Sequence, residues 1–153
     1  MLLPGLICGL ALCVEDMRAR RIPRLWVALG FVAQIATIAA YAIAVNDMFI
    51  IVQALLFAIL STLIQLGLAM IKPGSLGFGD VTCMIVIGLA PGMFGLTAVV
   101  MWWLSMGALG ILWLAIWPHV SKHVHSTRLR KKTPFAPVIV LAAIVAVSIA
   151  SLL

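Results

Sequence analysis

Acidic residues, and charged residues in general, are scarce in this sequence. Its 153 residues include four Asp and Glu, and 9% are charged, whereas 65% are hydrophobic. The mean hydropathy is +1.28. Such a composition cannot be arranged around one soluble core, because too little polar surface remains to cover it. The sequence therefore excludes a soluble globular domain and indicates an integral membrane protein.

Residues that could bind a metal or act as a reactive thiol are also few. The three cysteines lie in or beside apolar runs without a CxxC pair, and we interpret them as buried apolar residues. Three histidines form the only other group of metal-ligand type, and they lie in a basic segment where no carboxylate is near in sequence. We therefore expect no metal and no cofactor. These residues are Cys8, Cys13, Cys83, His119, His123 and His125.

Six apolar runs follow one another along the chain, joined by short polar or Gly/Pro-containing segments. A transmembrane helix takes roughly 20 apolar residues, so we predict an all-α polytopic membrane protein with about six helices in one domain covering residues 1–153. A signal sequence is the alternative for the first run, but no positive charge precedes it. The fourth run is short, and we predict a half-length helix that begins at Asp80. The runs are 2–14, 25–45, 48–71, 80–90, 93–117 and 134–153.

The basic residues predict the topology, since Lys and Arg accumulate in cytoplasmic connections. All ten fall after the first, third and fifth runs, which makes those connections cytoplasmic and places both termini outside. The same count brings Asp16 and Asp80 to the cytoplasmic boundary. The net charge of +6 is explained by contact with anionic lipid head groups, so we expect no nucleic-acid partner. The ten are Arg18, Arg20, Arg21, Arg24, Lys72, Lys122, Arg128, Arg130, Lys131 and Lys132.

Asp16 and Asp80 are the candidate catalytic residues. A carboxylate within a membrane is costly, and such residues are functional candidates for that reason. Two carboxyl groups that lie close together do not both ionise, so one keeps a proton, as in aspartic proteases. Alternatives exist for each alone: Asp80 as a helix N-cap, and Asp16 as an acid paired with a neighbouring arginine.

Three sequence elements resemble one known family. Gly77-Phe78-Gly79-Asp80 resembles the GxGD signature of intramembrane aspartyl proteases. Asp16 with Ile22-Pro23 resembles the element that follows the first span of type IV prepilin peptidases. Pro134-Phe135-Ala136-Pro137 resembles the "PFGP" that opens their last span. The three elements occur in the family's order, and the short length is similar to the prepilin peptidases of tight-adherence (Flp) pili.

The resemblance implies an aspartyl endopeptidase that removes the leader of a prepilin or pseudopilin at the cytoplasmic face of the inner membrane. Asp16 and Asp80 match the catalytic pair, and the remaining motif residues are expected to form an active-site loop or to have substrate-binding or structural roles. Pilus-assembly proteins are possible partners. The family's methyltransferase and zinc segment has no counterpart here. Those motif residues are Gly77, Phe78 and Gly79 in the loop, and Ile22, Pro23, Pro134, Phe135 and Pro137 elsewhere.

Two positions depart from the family pattern, and two other functions stay open. Arg24 stands where the family usually has Asn, and Ala136 replaces the Gly of "PFGP"; neither removes a catalytic group. A small proton- or cation-coupled transporter is one alternative, although its acids would be expected near mid-span. A non-catalytic assembly subunit of a pilus or secretion system is the other.

Overall fold

The structure is a computed structural model that describes residues 7, 9–11, 13–14, 24–71, 78–120 and 135–152. These residues form helices and short turns, and this part of the chain contains no strand. Residues 7, 9–11 and 13–14 are helical, and we call them the N-terminal segment. The five helices that follow are α1 (Arg24–Ala44), α2 (Phe49–Ile71), α3 (Phe78–Met93), α4 (Leu96–Val120) and α5 (Ala136–Ala150).

Three of the helices are long and apolar enough to cross a membrane: Leu25–Ala44, Phe49–Ile71 and Leu96–Trp117. Two apolar helices are shorter, at Gly79–Met93 and Ala136–Ala150. Large apolar side chains cover the outward faces of the long helices; many are more than half exposed. Water would make such faces unfavourable, whereas lipid chains solvate them. The predicted all-helical fold is confirmed for the described residues, and the three long apolar helices fit a membrane-embedded protein.

The helix bounds lie within three residues of the predicted runs, and α3 is longer than predicted at both ends. This helix begins at Phe78 rather than at Asp80 and continues through Pro91 to Met93, so the predicted bounds of 80–90 are corrected at both ends. Pro91 has no N–H to donate to the carbonyl oxygen of Ile87, and the helix ends two residues after it, at Met93. The next helix cannot start until after Gly95, whose φ of +91° is a left-handed conformation suited to glycine.

Helix α3 is the centre of the bundle and contacts each of the other four helices. On one side it packs against α1 and α2 around a small cluster that includes Ile38, Ala58 and Leu89. On the other side it joins α4, α5 and the N-terminal segment around a larger cluster that includes Trp102 and Ile139. Although α3 is short, it is therefore the most enclosed helix of the bundle.

Small residues bring α2 and α3 very close together. A Cβ atom added to Gly88 would lie 3.3 Å from the Cα of Ala58, and one added to Gly92 would lie 2.8 Å from the carbonyl oxygen of Ala54. The later glycine of α3 lies against the earlier alanine of α2, so α2 and α3 are antiparallel. Because both helices rise by the same amount per residue, extending this register by two turns places Gln65 at the level of Asp80.

A tryptophan hydrogen bond and close packing contacts hold together the other half of the bundle, which consists of α4, α5 and the N-terminal segment. The Nε1–H of Trp102 donates a hydrogen bond to the carbonyl oxygen of Ile139 at 3.1 Å, linking α4 to α5. Gly9 lies against both α3 and α5, since its added Cβ would be 2.9 Å from Cδ1 of Ile87 and 3.2 Å from Cγ2 of Val140. The N-terminal segment is thus part of the bundle.

Candidate functional site

Asp80 lies at the start of the central helix and is buried. It occupies the first turn of α3, and its side chain is 8% exposed. The helix starts two residues earlier, at Phe78, so the N-cap alternative for Asp80 is wrong. A carboxylate in the first turn of a helix interacts favourably with the positive end of the helix dipole. The fold therefore accommodates a negative charge at a position that its surroundings otherwise make costly.

The expected active-site loop is partly helical. Phe78 and Gly79 belong to the first turn of α3, which corrects the expectation that they lie in a loop. The hydroxyl of Thr82 donates to the carbonyl oxygen of Gly79 at 2.8 Å, a local contact typical of the first turn. Gly79 is half-buried next to Asp80.

Five other predicted site residues lie outside the described part of the chain: Asp16, Gly77, Ile22, Pro23 and Pro134. The pairing of Asp16 with Asp80 accordingly stays a prediction. The two histidines at 123 and 125 also lie outside it, and among the residues the structure does describe, no three potential metal ligands form a group.

The last predicted motif opens α5, as expected. Phe135 is the N-cap residue, Ala136 begins the helix and Pro137 lies in its first turn. Proline is favoured there because its missing N–H would have no intrahelical partner. The ring of Phe135 packs against α4, since a Cβ added to Gly110 would lie 3.3 Å from Cζ of Phe135. This contact gives Phe135 a structural role, and Ala136 is fully buried beside it.

Three uncharged polar side chains are buried in the helices around α3, and the sequence analysis missed them. Gln34 of α1 is 0% exposed, Ser61 of α2 is 2% exposed and Gln65 of α2 is 3% exposed. Buried polar groups are costly without partners, so they are informative in so apolar a chain. Their spacing was a usable signal, because Ala54, Ala58, Ser61 and Gln65 recur every three or four residues and lie on one face of α2.

Ser61 connects α2 to a helix on the far side of the bundle. Its Oγ accepts a hydrogen bond from Nε1–H of Trp103 in α4 at 3.2 Å. Helices α2 and α4 are otherwise not in extensive contact. This single polar contact therefore crosses a gap between two long apolar helices.

Gln65 is one turn further along α2, at the level of Asp80. Within the described part of the chain, none of the hydrogen bonds involves the Gln65 amide. The site consequently combines a buried carboxyl group with a nearby amide that can donate to and accept from a bound molecule.

No known protein family, curated protein or solved structure gave a significant match to this chain.

Proposed function

We propose that this protein is an intramembrane aspartyl endopeptidase that cleaves the leader of type IV prepilins, most closely those of Flp-like pili. The observation that carries the proposal is Asp80, a buried carboxyl group in the first turn of the central helix of an apolar bundle. Hydrolysis at such a site is consistent with the resemblance of Gly77-Phe78-Gly79-Asp80 to the GxGD signature. Six spans, of which three are long helices, complete the proposed architecture.

The direction of the N-terminal segment supports Asp16 as the second carboxyl group. Cys13 belongs to the same buried cluster as Cys83, and Gly9 lies against Ile87; both observations fit a segment that runs antiparallel to α3. Asp16 is three residues after Cys13, and covalent geometry limits their Cα atoms to a separation of roughly 11 Å. Asp80 is three residues before Cys83, or about 4.5 Å of helix axis. These distances are compatible with the proposed pairing of Asp16 with Asp80.

The proposed reaction uses one ionised and one protonated carboxyl group. The ionised group takes a proton from water while the water oxygen attacks the carbonyl carbon of the scissile peptide bond. The protonated group first donates a hydrogen bond to the carbonyl oxygen. The proton taken from water then goes to the leaving amine as the C–N bond breaks. The products are a free carboxylate on the leader and a free amine on the pilin, with no cofactor consumed.

The decisive test is removal of each carboxyl group without a change of size. Asp80→Asn and Asp16→Asn should each abolish cleavage, by at least about a thousandfold, because an amide can neither take nor return the proton. Purified protein in detergent with a synthetic prepilin peptide gives the rate directly.

Asp47→Asn is the matched control. Asp47 is exposed, and its Oδ1 accepts a hydrogen bond from the N–H of Phe49 at 3.0 Å, which caps α2. Asparagine preserves that cap, so the cleavage rate should not change. Cleavage by the Asp80→Asn protein at the wild-type rate would refute the proposed protease function.

We further propose that the site faces the cytoplasm across the inner membrane, with both termini outside. The supporting observation is the segregation of all ten basic residues to alternate connections. A cysteine introduced at Asn46, which lies in the turn between α1 and α2, should react with an impermeant maleimide added to intact cells. A cysteine at Ser75 should react only after permeabilisation. The parent protein provides the background, and labelling of Ser75→Cys in intact cells would reverse the assignment.

A further inference from the structure

We infer that the gap between α2 and α4, next to the Ser61–Trp103 hydrogen bond, receives an extended segment of a substrate polypeptide, and that the Gln65 amide binds its backbone beside Asp80. This inference rests on the proposed peptidase function and assigns it a substrate-binding residue and a route of access.

Among the described residues, one hydrogen bond between side chains crosses the gap. The 3.2 Å hydrogen bond from Trp103 to Ser61 joins two helices that otherwise have little contact. Both helices are antiparallel to α3, α2 by its register with Gly88 and Gly92, and α4 because only Phe94 and Gly95 separate it from α3. Helices α2 and α4 are consequently parallel to one another. The residue four positions after Ser61 on α2 is therefore at the same height along the bundle as the residue four positions after Trp103 on α4.

At this height, α2 presents a polar side chain and α4 presents a glycine. On α2, four residues after Ser61, is Gln65, which is 3% exposed. On α4, four residues after Trp103, is Gly107, and a Cβ added there would meet no atom within 4 Å. Gly107 is exposed, so the gap opens at the outer surface of the bundle there, at the level that the α2–α3 register assigns to Asp80, and the buried Gln65 lies inward of the opening.

The chemistry of Gln65 indicates what occupies this space. A buried primary amide offers two donors and one acceptor, and leaving them without partners costs free energy. A helical peptide would not satisfy them, because its backbone groups bond to one another. An extended peptide presents free N–H and C=O groups, and a peptide bond must likewise be unpaired and accessible before water can attack it. Binding by Gln65 and cleavage at Asp80 therefore require the same substrate conformation.

Filling the open space gives the first test. Gly107→Leu should raise KM at least tenfold for a synthetic peptide that has a short basic leader, a glycine and an apolar segment of roughly 20 residues. The matched control is Gly67→Leu, also a helical glycine with no atom within 4 Å of its added Cβ. Gly67 is two residues from Gln65, on the opposite face of α2, so its KM should not change. A folded Gly107→Leu protein with wild-type kcat/KM would overturn the inference.

Removing the amide gives the second test. Gln65→Leu should raise KM by about tenfold, the effect of losing one or two hydrogen bonds to the substrate, and should leave kcat and the shape of its pH profile unchanged. A fall in kcat with an altered pH profile and an unchanged KM would instead mean that Gln65 positions Asp80, and substrate binding by this amide would be refuted.

Direct contact can be measured without any cleavage. A photoreactive benzoylphenylalanine at Gly107, in protein that also carries Asp80→Asn, should crosslink the peptide; the same group at Gly67 should not. Failure of the wild-type protein to cleave the peptide would count against the proposed protease function alone. Equal crosslinking at both glycines would count against the binding site alone.

Discussion

The two ends of α3 both face a glutamine of α2, yet the two amides are used differently. At the Pro91 end, Nε2 of Gln53 donates to the carbonyl oxygens of Gly92 at 3.3 Å and of Met93 at 3.5 Å. At the Asp80 end, Gln65 is buried and makes no hydrogen bond to any residue that the structure describes. The same side chain thus completes a helix terminus at one end and is left available at the other.

This difference distinguishes a polar side chain that stabilises the fold, Gln53, from one that is a candidate for function, Gln65, within one pair of helices. The last carbonyl groups of a helix have no intrahelical donors, so the Gln53 amide meets a requirement created by the helix itself. The first turn at the other end has no such requirement for a glutamine on the neighbouring helix. In an apolar bundle, a buried polar group whose presence the fold does not explain is the better candidate for function.

The largest effect expected at the Pro91 end is steric. Gly92→Leu should destabilise the protein by about 3 kcal/mol or more, because its Cβ would lie 2.8 Å from the backbone oxygen of Ala54 and the two helices would have to separate. The thermal unfolding midpoint in detergent measures this. Gly67→Leu, which meets open space, is the control. A Gly92→Leu protein as stable as the control would show that the contact at this end is not tight.

The next effect belongs to the Asp80 end and concerns pH. Activity should fall about tenfold per pH unit on both sides of an optimum. On the acid side the ionised carboxylate becomes protonated and can no longer activate water. On the alkaline side the shared proton is lost and the carbonyl oxygen loses its hydrogen-bond donor. Initial rates across the pH range test this, and activity that rises steadily into the alkaline range would exclude a shared-proton pair.

The smallest effect contrasts the two glutamines directly. Gln53→Leu should lower the free energy of unfolding by about 1 kcal/mol, since the carbonyl oxygen of Met93 loses this donor and that of Gly92 keeps only the N–H of Gly95, and should leave kcat/KM unchanged. Gln65→Leu should show the reverse, with reduced kcat/KM and unchanged stability. Unfolding midpoints and peptide kinetics for the two variants give a two-by-two comparison. Loss of activity in Gln53→Leu without loss of stability would remove the distinction between the two ends.

Much of the fold could be predicted from the sequence because lipid imposes simple requirements on helix length and polarity. The ends of α1, α2 and α5 lie within three residues of the predicted runs. The ends of α3 also lie within three residues of its predicted run, but both were predicted too short, because Pro91 and the glycines favour breaks locally whereas tertiary contacts, including the Gln53 hydrogen bonds, extend the helix. At those positions, tertiary packing outweighed the local conformational preference of the sequence.

The candidate site was predictable only in part. Asp80 was identified because carboxylates are rare in this chain, whereas Gln65 and Ser61 lie within a long apolar run and barely alter its hydropathy. Their spacing shows that they share a face of α2, but not which helix that face meets. The open space at Gly107 depends on the separation of α2 and α4, which no local pattern encodes.

The length of α3 has a consequence for the surrounding bilayer. Its 16 residues span about 24 Å at 1.5 Å per residue, whereas the hydrocarbon layer is about 30 Å thick. In a bilayer, the mismatch of roughly 6 Å would be met by local thinning of the lipid or by a depression open to water at one end of the helix. At the Asp80 end, such a depression would supply the water molecule that hydrolysis consumes without opening the bundle. In the proposed peptidase, the thickness of the bilayer would then be a determinant of catalysis, and lipids of different chain length would tune the activity without any change in the protein sequence.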